Sequence, residues 1–218
     1  MTDVWSDRAE GYRTSGTHMQ GDDLERVVQL CEPGPGVKAL DVATGGGHVA
    51  RRLREEGCQV VTLDPAPGMG ADVVARAEDV PFADGSFDVV VTRIAAHHFG
   101  DIRAAVAEMA RVSNRLVVVE DTLFLSEQQE AAERLRDPTH VRSYSEDEWR
   151  ELLEQAGLEV EQVEHFEKVH VLAEWLARTG CEGDEARRVK ELLAPVLVGD
   201  GDAWRDVKVV IKARKSQR

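Results

Sequence analysis

The chain has 218 residues, which suits one domain with a sizeable core. Its 41 acidic and 27 basic residues give a formal net charge of −14. That balance argues against a nucleic-acid substrate, because phosphate recognition leans on clustered Lys and Arg.

Residues 1–21 are polar and rich in Gly, Thr and Ser, with Tyr12, Ser15 and His18 as candidates for a lid. From Asp22 to about Cys31, the apolar set Leu24, Val27, Val28 and Cys31 has helical spacing. Pro33-Gly34-Pro35-Gly36 then breaks the chain before a buried strand, Val37 to Val42. Three glycines, Gly45 to Gly47, form a turn into a helix from Val49 to Glu56 that Gly57 stops. Glycine at such a corner lets the backbone approach a ligand where a Cβ would collide. The next strand, Gln59 to Leu63, ends on Asp64, so a carboxylate stands at the strand's C-terminal edge, where it can accept hydrogen bonds from both hydroxyls of a ribose. A cofactor containing a nucleoside is the inference.

Gly45-x-Gly47-x-x-Ala50 also satisfies a dinucleotide fingerprint. Asp41 argues against it, since a carboxylate just before the glycines repels a pyrophosphate and suits an ammonium or sulfonium. After Asp64 the segment Pro65 to Ala75 has almost no room for a helix, and a loop or single turn is expected. A polar loop from Ala77 leads to a strand, Phe87 to Thr92, that feeds His97 and His98. Asp101 caps a helix to about Val112, and a strand from Arg115 to Glu120 follows. Asp121 to Ser145 is polar and helical in pattern, with Ser126-x-x-Gln129 as a capping box, and reads as a cap. Ser145-x-x-Glu148 starts another helix that Gly157 ends. Alternation near Leu158 and Val160 and along Val207 to Ala213 predicts a closing antiparallel pair, with helices at Leu172–Thr179 and Asp184–Leu193 between. Arg51, Arg52 and Arg54 read as solvated surface, and Lys212, Arg214, Lys215 and Arg218 as a frayed tail. Cys31, Cys58 and Cys181 lack metal-ligand spacing, and no metal site is expected. With no apolar run of membrane-spanning length and no signal-peptide core, a cytoplasmic protein with reduced thiols is expected.

Several segments together resemble the class I S-adenosylmethionine-dependent methyltransferases, in the branch that includes quinone-biosynthesis methyltransferases. They are Asp41-Val-Ala-Thr-Gly-Gly-Gly47, Ala77-Glu-Asp-Val-Pro-Phe82, Arg93-Ile-Ala-Ala-His-His-Phe99, Glu108-Met-Ala-Arg-Val112 and Arg134 to Arg142. The resemblance covers nearly the whole chain. It implies one α/β domain over 1–218, a Rossmann-like seven-stranded mixed sheet with helices on both faces. Residues 1–21 would be a lid and 121–145 a small helical cap. It implies S-adenosylmethionine as cofactor, held by Asp41, Ala43, Thr44, Gly45, Gly47, Asp64, Ala77, Glu78, Thr92 and Arg93. On this reading Asp41 orients the glycine turn and the cofactor's ammonium, and Thr44 donates to its carboxylate. Asp64 holds the ribose, and backbone near Thr92 and Arg93 meets the methionyl amine. Arg76 stands where many members carry an acid toward the adenine, so Glu78 or backbone around Ala77 takes that role.

The expected reaction is methyl transfer to a carbon, oxygen or nitrogen of a small-molecule acceptor, with no nucleic-acid or membrane partner and a monomer or homodimer as the assembly. His97 and His98 are the candidate catalytic residues. Adjacent strand residues point to opposite faces, so one of them at most is expected to face the methyl, His97 by preference, as a base. The alternative is that both only pack. Arg136, Asp137, His140 and Arg142 could grip a carboxylate or enolate, with Asp137 and Arg142 read as structural; Trp149 and Trp175 read as core. Two other functions remain open from the residues: an NAD-dependent oxidoreductase, and a cofactor-binding protein without methyl transfer, such as a sensor, pseudoenzyme or sulfonium-using cyclase.

Overall fold

A computed structural model describes residues 4–14 and 21–216 of the protein. Ser15 and His18, and the side chain of Tyr12, lie outside the described residues. Five apolar runs become parallel strands: β1 (Lys38–Val42), β2 (Gln59–Asp64), β3 (Val73–Val74), β4 (Phe87–Arg93) and β5 (Ser113–Thr122). The three central ones are covered on both faces, so their apolar runs are nearly continuous rather than alternating. The chain then reverses into β6 (Leu158–Val171), the short β7 (Leu197–Val198) and β8 (Ala203–Lys215), all antiparallel to their neighbours.

The sheet order is β3-β2-β1-β4-β5-β8-β6, with β7 beside β8. This is the mixed sheet expected from the sequence, with β7 as an eighth strand beyond the expected seven. Two-residue strands carry no periodic signal, which is why β7 is invisible in the sequence.

The helices are α1 (Val4–Thr14), α2 (Asp22–Leu30), α3 (His48–Glu55), α4 (Ile102–Val112), α5 (Glu127–Arg136), α6 (Glu146–Gln155), α7 (Leu172–Ala177) and α8 (Gly183–Leu192). Alternate residues of the strands divide between two cores, as the period of two requires. Val90, Val117, Val119 and Ile211 pack with Met109 of α4 and Trp149 and Leu153 of α6. Val89, Val91, Leu116 and Val118 pack on the other face with Leu24, Val27 and Val28 of α2 and Leu53 of α3. Trp149 is 1% exposed, and its loss to Ala would cost about 3–5 kcal/mol. A third cluster joins Ala132 of α5 to Leu172, Trp175, Val189, Leu193 and Trp204, and gives the cap region its own small core.

The caps form locally. Asp101 accepts from Ala104 N, and Ser145 and Glu148 satisfy each other's backbone as a full capping box. Ser126 accepts from Gln129 N, the first half of its expected box. Between β2 and β3 the chain makes a single 3-10 turn, Pro67–Met69, where no helix was expected. Lys212, Arg214 and Lys215 are not a tail, and Arg218 lies outside the described residues. Lys212, Arg214 and Lys215 lie within β8; Lys212 and Arg214 pair with Glu32 and Glu161, and the ammonium of Lys215 donates to Ala110 O and Ser113 O. Arg51 and Arg52 pair with Glu55, and Arg54 with Asp72, on the surface.

Candidate functional site

Strand order reverses between β1 and β4, and a crevice opens there at the C-terminal strand ends. It holds a cavity of about 340 Å³, within the range of about 300–1,000 Å³ typical of small-molecule sites. Asp41, Ala43, Thr44, Gly45, Asp64, Ala77, Glu78 and Arg93 from the sequence reading all line it. Gly47 and Thr92 do not. Gly47 (φ 74°) caps α3 in the left-handed conformation, and Gly46 and His48 contribute the wall beside it. Thr92 is 1% exposed inside β4, so the wall there begins one residue later, with Arg93, Ile94 and Ala95.

Asp64 is held at both oxygens. Gly45 N donates to Oδ2 at 2.9 Å and Ala66 N to Oδ1 at 3.0 Å. These two amides fix the carboxylate at the wall of the cavity. Asp41 is 2% exposed and accepts from Thr44 Oγ1 at 2.6 Å and Ala50 N at 3.2 Å. Burial pushes its carboxyl up to about 6, against the pull of those two bonds. The Thr44 hydroxyl therefore spends its proton on Asp41, not on a ligand carboxylate as the resemblance implied. Glu78 accepts from Gly100 N at 2.8 Å and from Arg76, whose own side chain is mostly exposed. Although burial alone would raise its carboxyl, hydrogen bonds to Arg76 and to the loop amides hold it below its usual range. Arg93 is buried between Asp23 of α2 and Glu120 of β5, at 2.6 Å from each. Its charge is matched before any ligand arrives.

The sequence reading missed Trp5, Met69 and Phe99 in this wall. Trp5 comes from α1, which packs on the 3-10 turn, with Gly68 N donating to Ser6 Oγ at 2.8 Å. A lone Trp in a polar N-terminal stretch carries the only sequence signal for it.

His97 and His98 lie on a second 3-10 turn, Ala96–His98, and not on a strand extension. The strand rule of opposite faces therefore does not apply, and both rings, 4.1 Å apart, line one polar cavity of about 70 Å³. The residue that also reaches the first cavity is His98, not the preferred His97. His98 Nδ1 donates to Thr139 O at 2.9 Å, and since a carbonyl only accepts, Nε2 carries the lone pair. Burial and the adjacent His97 pull its pKa down to about 3, so it stays neutral. His97 Nδ1 meets Asp121 Oδ1 at 2.5 Å, and its backbone N donates to Asp121 Oδ2 at 2.7 Å. Burial would raise the Asp121 carboxyl, but His97 outweighs it and holds the group below the usual range. Asp121 went unread in the sequence, although an acid at the end of an apolar strand is a usable signal.

The second cavity collects Arg136 and His140 of the polar run, while Asp137 bonds Thr139 and Arg8, and Arg142 pairs with Glu148 on the surface. Trp175 is buried as expected, but it also lines this cavity, with the Arg136 guanidinium 4.2 Å from its ring centre. Ile94 and His98 belong to both cavities. Ile94 has φ 52°, and Ala43 in the first cavity has φ 55°; left-handed backbone at such residues gathers at functional sites.

Residues 14–163 match the model of a methyltransferase domain. The chain belongs to that methyltransferase family, and it is a class I S-adenosylmethionine-dependent methyltransferase. Among its relatives is YcgJ of Bacillus subtilis, an uncharacterized methyltransferase, 30% identical over 85% of this chain and 82% of its own. The crystal structure of YcgJ matches over 89% of this chain and 98% of its own, with a TM-score of 0.79. A structure assigned as a methyltransferase from Bacillus halodurans matches with the same TM-score, at 28% identity over 90% of this chain and all of its own. The NAD-dependent reading has no support among these findings. The anchored Asp64 carboxylate, the open glycine corner and the neutralised Arg93 fit S-adenosylmethionine, whose charge near the reacting atom is positive. Among the described residues no helix is long and apolar enough to cross a membrane.

Proposed function

We propose that the chain methylates a small molecule that enters the polar cavity, across the wall formed by Ile94 and His98. The observation that carries this reading is that shared wall, since methyl transfer requires donor and acceptor pockets to meet at one point. When bound, S-adenosylmethionine supplies an electrophilic methyl group on its sulfonium sulfur. Asp64 would take the ribose hydroxyls, the Gly45–Gly46 backbone would lie against the methionyl part, and Asp41 would keep that turn rigid. Glu78 and backbone at Ala77 would face the base. His97 is the proton acceptor in this reading: Asp121 fixes Nδ1, so Nε2 is the nitrogen left to take the proton that the acceptor loses as its new bond to carbon forms. His98, kept neutral, would form the wall between the two reactants.

The name of a partial relative agrees with a small-molecule acceptor: a demethylmenaquinone methyltransferase of Beutenbergia cavernae is 36% identical over 39% of this chain. Three buried, unpaired cysteines suit a reducing compartment, and the proposal includes a cytoplasmic location. The test is to incubate purified protein with S-adenosylmethionine and a panel of small acceptors and to measure S-adenosylhomocysteine. Formation with at least one acceptor is expected. Tight S-adenosylhomocysteine binding with no turnover on any acceptor would instead favour cofactor binding without transfer.

A further inference from the structure

The two cavities differ in charge. The wall of the larger one contributes Asp41, Asp64 and Glu78 against Arg76 and Arg93. The polar one contributes Arg136, Lys168, Arg178 and Lys208 against Glu133 and Asp206, in a chain whose net charge is −14. Carboxylate neighbours stand beside these cations, Lys168 with Asp23, Arg136 with Glu133 at 3.3 Å, and Lys208 with Asp206 at 2.7 Å. Hydrogen-bonding capacity is left over all the same. Lys208 has three N–H donors and spends two, on Thr122 Oγ1 at 2.6 Å and Asp206 Oδ2. Arg136 donates from Nη1 to Trp175 O, and its buried Nε has no partner. His140 is paired with Glu130 through Nε2, yet Nδ1, on a side chain 1% exposed, has none. His170 Nδ1 is likewise unpaired, on a side chain 9% exposed.

A buried polar group without a partner costs roughly 1–3 kcal/mol, so the open Arg136 Nε–H and the third N–H of Lys208 mark a place where a ligand's acceptor atoms complete the bonding, whereas His140 Nδ1 and His170 Nδ1, whose Nε2 faces a carboxylate, and Asp206 Oδ1 are open acceptors beside them. Resting on the methyl-transfer reading above, we propose that this cavity selects an acceptor bearing a carboxylate, whose oxygens take the open donors of Arg136 and Lys208 while its nucleophilic atom lies at the His97–His98 wall. The space suits only a small head group, since about 10–15 Å³ is needed per water-sized probe. Glu133 and Asp206 stand close by, so a singly charged, planar carboxylate fits better than a doubly charged phosphate.

The test uses native protein saturated with S-adenosylhomocysteine. Acetate, propanoate and benzoate are titrated in parallel with acetamide, propanamide and benzamide, and with inorganic phosphate. The histidine Cε1–H signals of the NMR spectrum report occupancy. At least one carboxylate is expected to shift them saturably, binding at least about tenfold more tightly than its own amide. Lys208→Met and Arg136→Gln should each weaken that binding about tenfold while binding S-adenosylhomocysteine like the native chain. The proposal is overturned if amides bind as well, if phosphate binds more tightly than every carboxylate, or if no carboxylate moves the signals. Should the variants fail to fold, the comparison of carboxylate with amide on native protein decides. Calorimetry of S-adenosylhomocysteine separates the two readings. Its failure to bind strikes the methyl-transfer reading, whereas its binding without any carboxylate effect strikes this inference alone.

Discussion

The two cavities meet at Ile94 and His98 but are built in opposite ways. Apart from Trp5 of α1, the larger one is assembled from strand ends and the turns directly after them, so each of those wall residues is set by its own short segment: Asp41 to Val49, Asp64 to Met69, Arg76 to Glu78, Arg93 to Phe99. The polar one draws Thr122, Glu133, Arg136, Lys168, Trp175 and Lys208 from five separate elements: β5, β8 and β6 are paired in the sheet, and α5 and α7 are held to them through the small core around Trp175 and Trp204. A site made of local corners can be rigid before anything else packs. A site made of distant side chains depends on every one of those contacts.

The sharpest way to break the comparison is at the histidine turn. His97→Ala should lower kcat by about 10²–10⁴ if the residue moves a proton, with S-adenosylhomocysteine affinity unchanged. Equal kcat across pH would remove the base role. Asp121→Asn is expected to act in the same direction, because its single carbonyl oxygen cannot accept from both His97 Nδ1 and the His97 backbone N, and it carries no charge to stabilise the imidazolium. In the other cavity, Asp64→Ala should weaken S-adenosylhomocysteine by about 10- to 100-fold, as losing a hydrogen bond to a charged group costs roughly 1.5–3 kcal/mol. Isothermal titration measures it, and an unchanged affinity would take Asp64 out of the site.

Behind both walls lies Glu120, fully buried, its carboxyl pushed up to about 8 by burial against the pull of Arg93. The folded state therefore holds a proton that the unfolded chain releases near 4.5. Stability from this group is complete below that value and is lost as the pH rises through about 8. Glu120→Gln should accordingly lose less melting temperature than the native chain between pH 5 and 8, at about 2–4 °C per kcal/mol for a chain of this size. Parallel melting curves would refute the shift. The smallest effect belongs to Ser126→Ala, which removes the cap of α5 and should cost about 0.5–2 kcal/mol in a denaturant titration.

The same contrast explains what was legible in the sequence. Strand runs, glycine corners and capping residues are local signals, and they led to the sheet, its closing antiparallel pair and most of the cofactor wall. Thr92 was misjudged by one position because a strand's end is set by its partner's register, here Arg93 opposite Glu120. His97 and His98 were assigned opposite faces because a three-residue turn looks like strand in sequence. Lys168, Asp206 and Lys208 left no mark at all: each reads as an ordinary charge in a strand, and the pairing of β6 and β8 brings them to the cavity. Lys212 and Arg214 were taken for a tail because the ion pairs that hold them reach back to Glu32 and across to Glu161.

The wall at Ile94 and His98 divides the sequence as well as the volume. Everything on its cofactor side comes from the first hundred residues, and most of the polar side comes from residues after them. Descendants could redraw the later part, residue by residue, without touching the machinery that holds the donor. Substitutions after residue 100 would then change which acceptor is taken while the donor stays held as before.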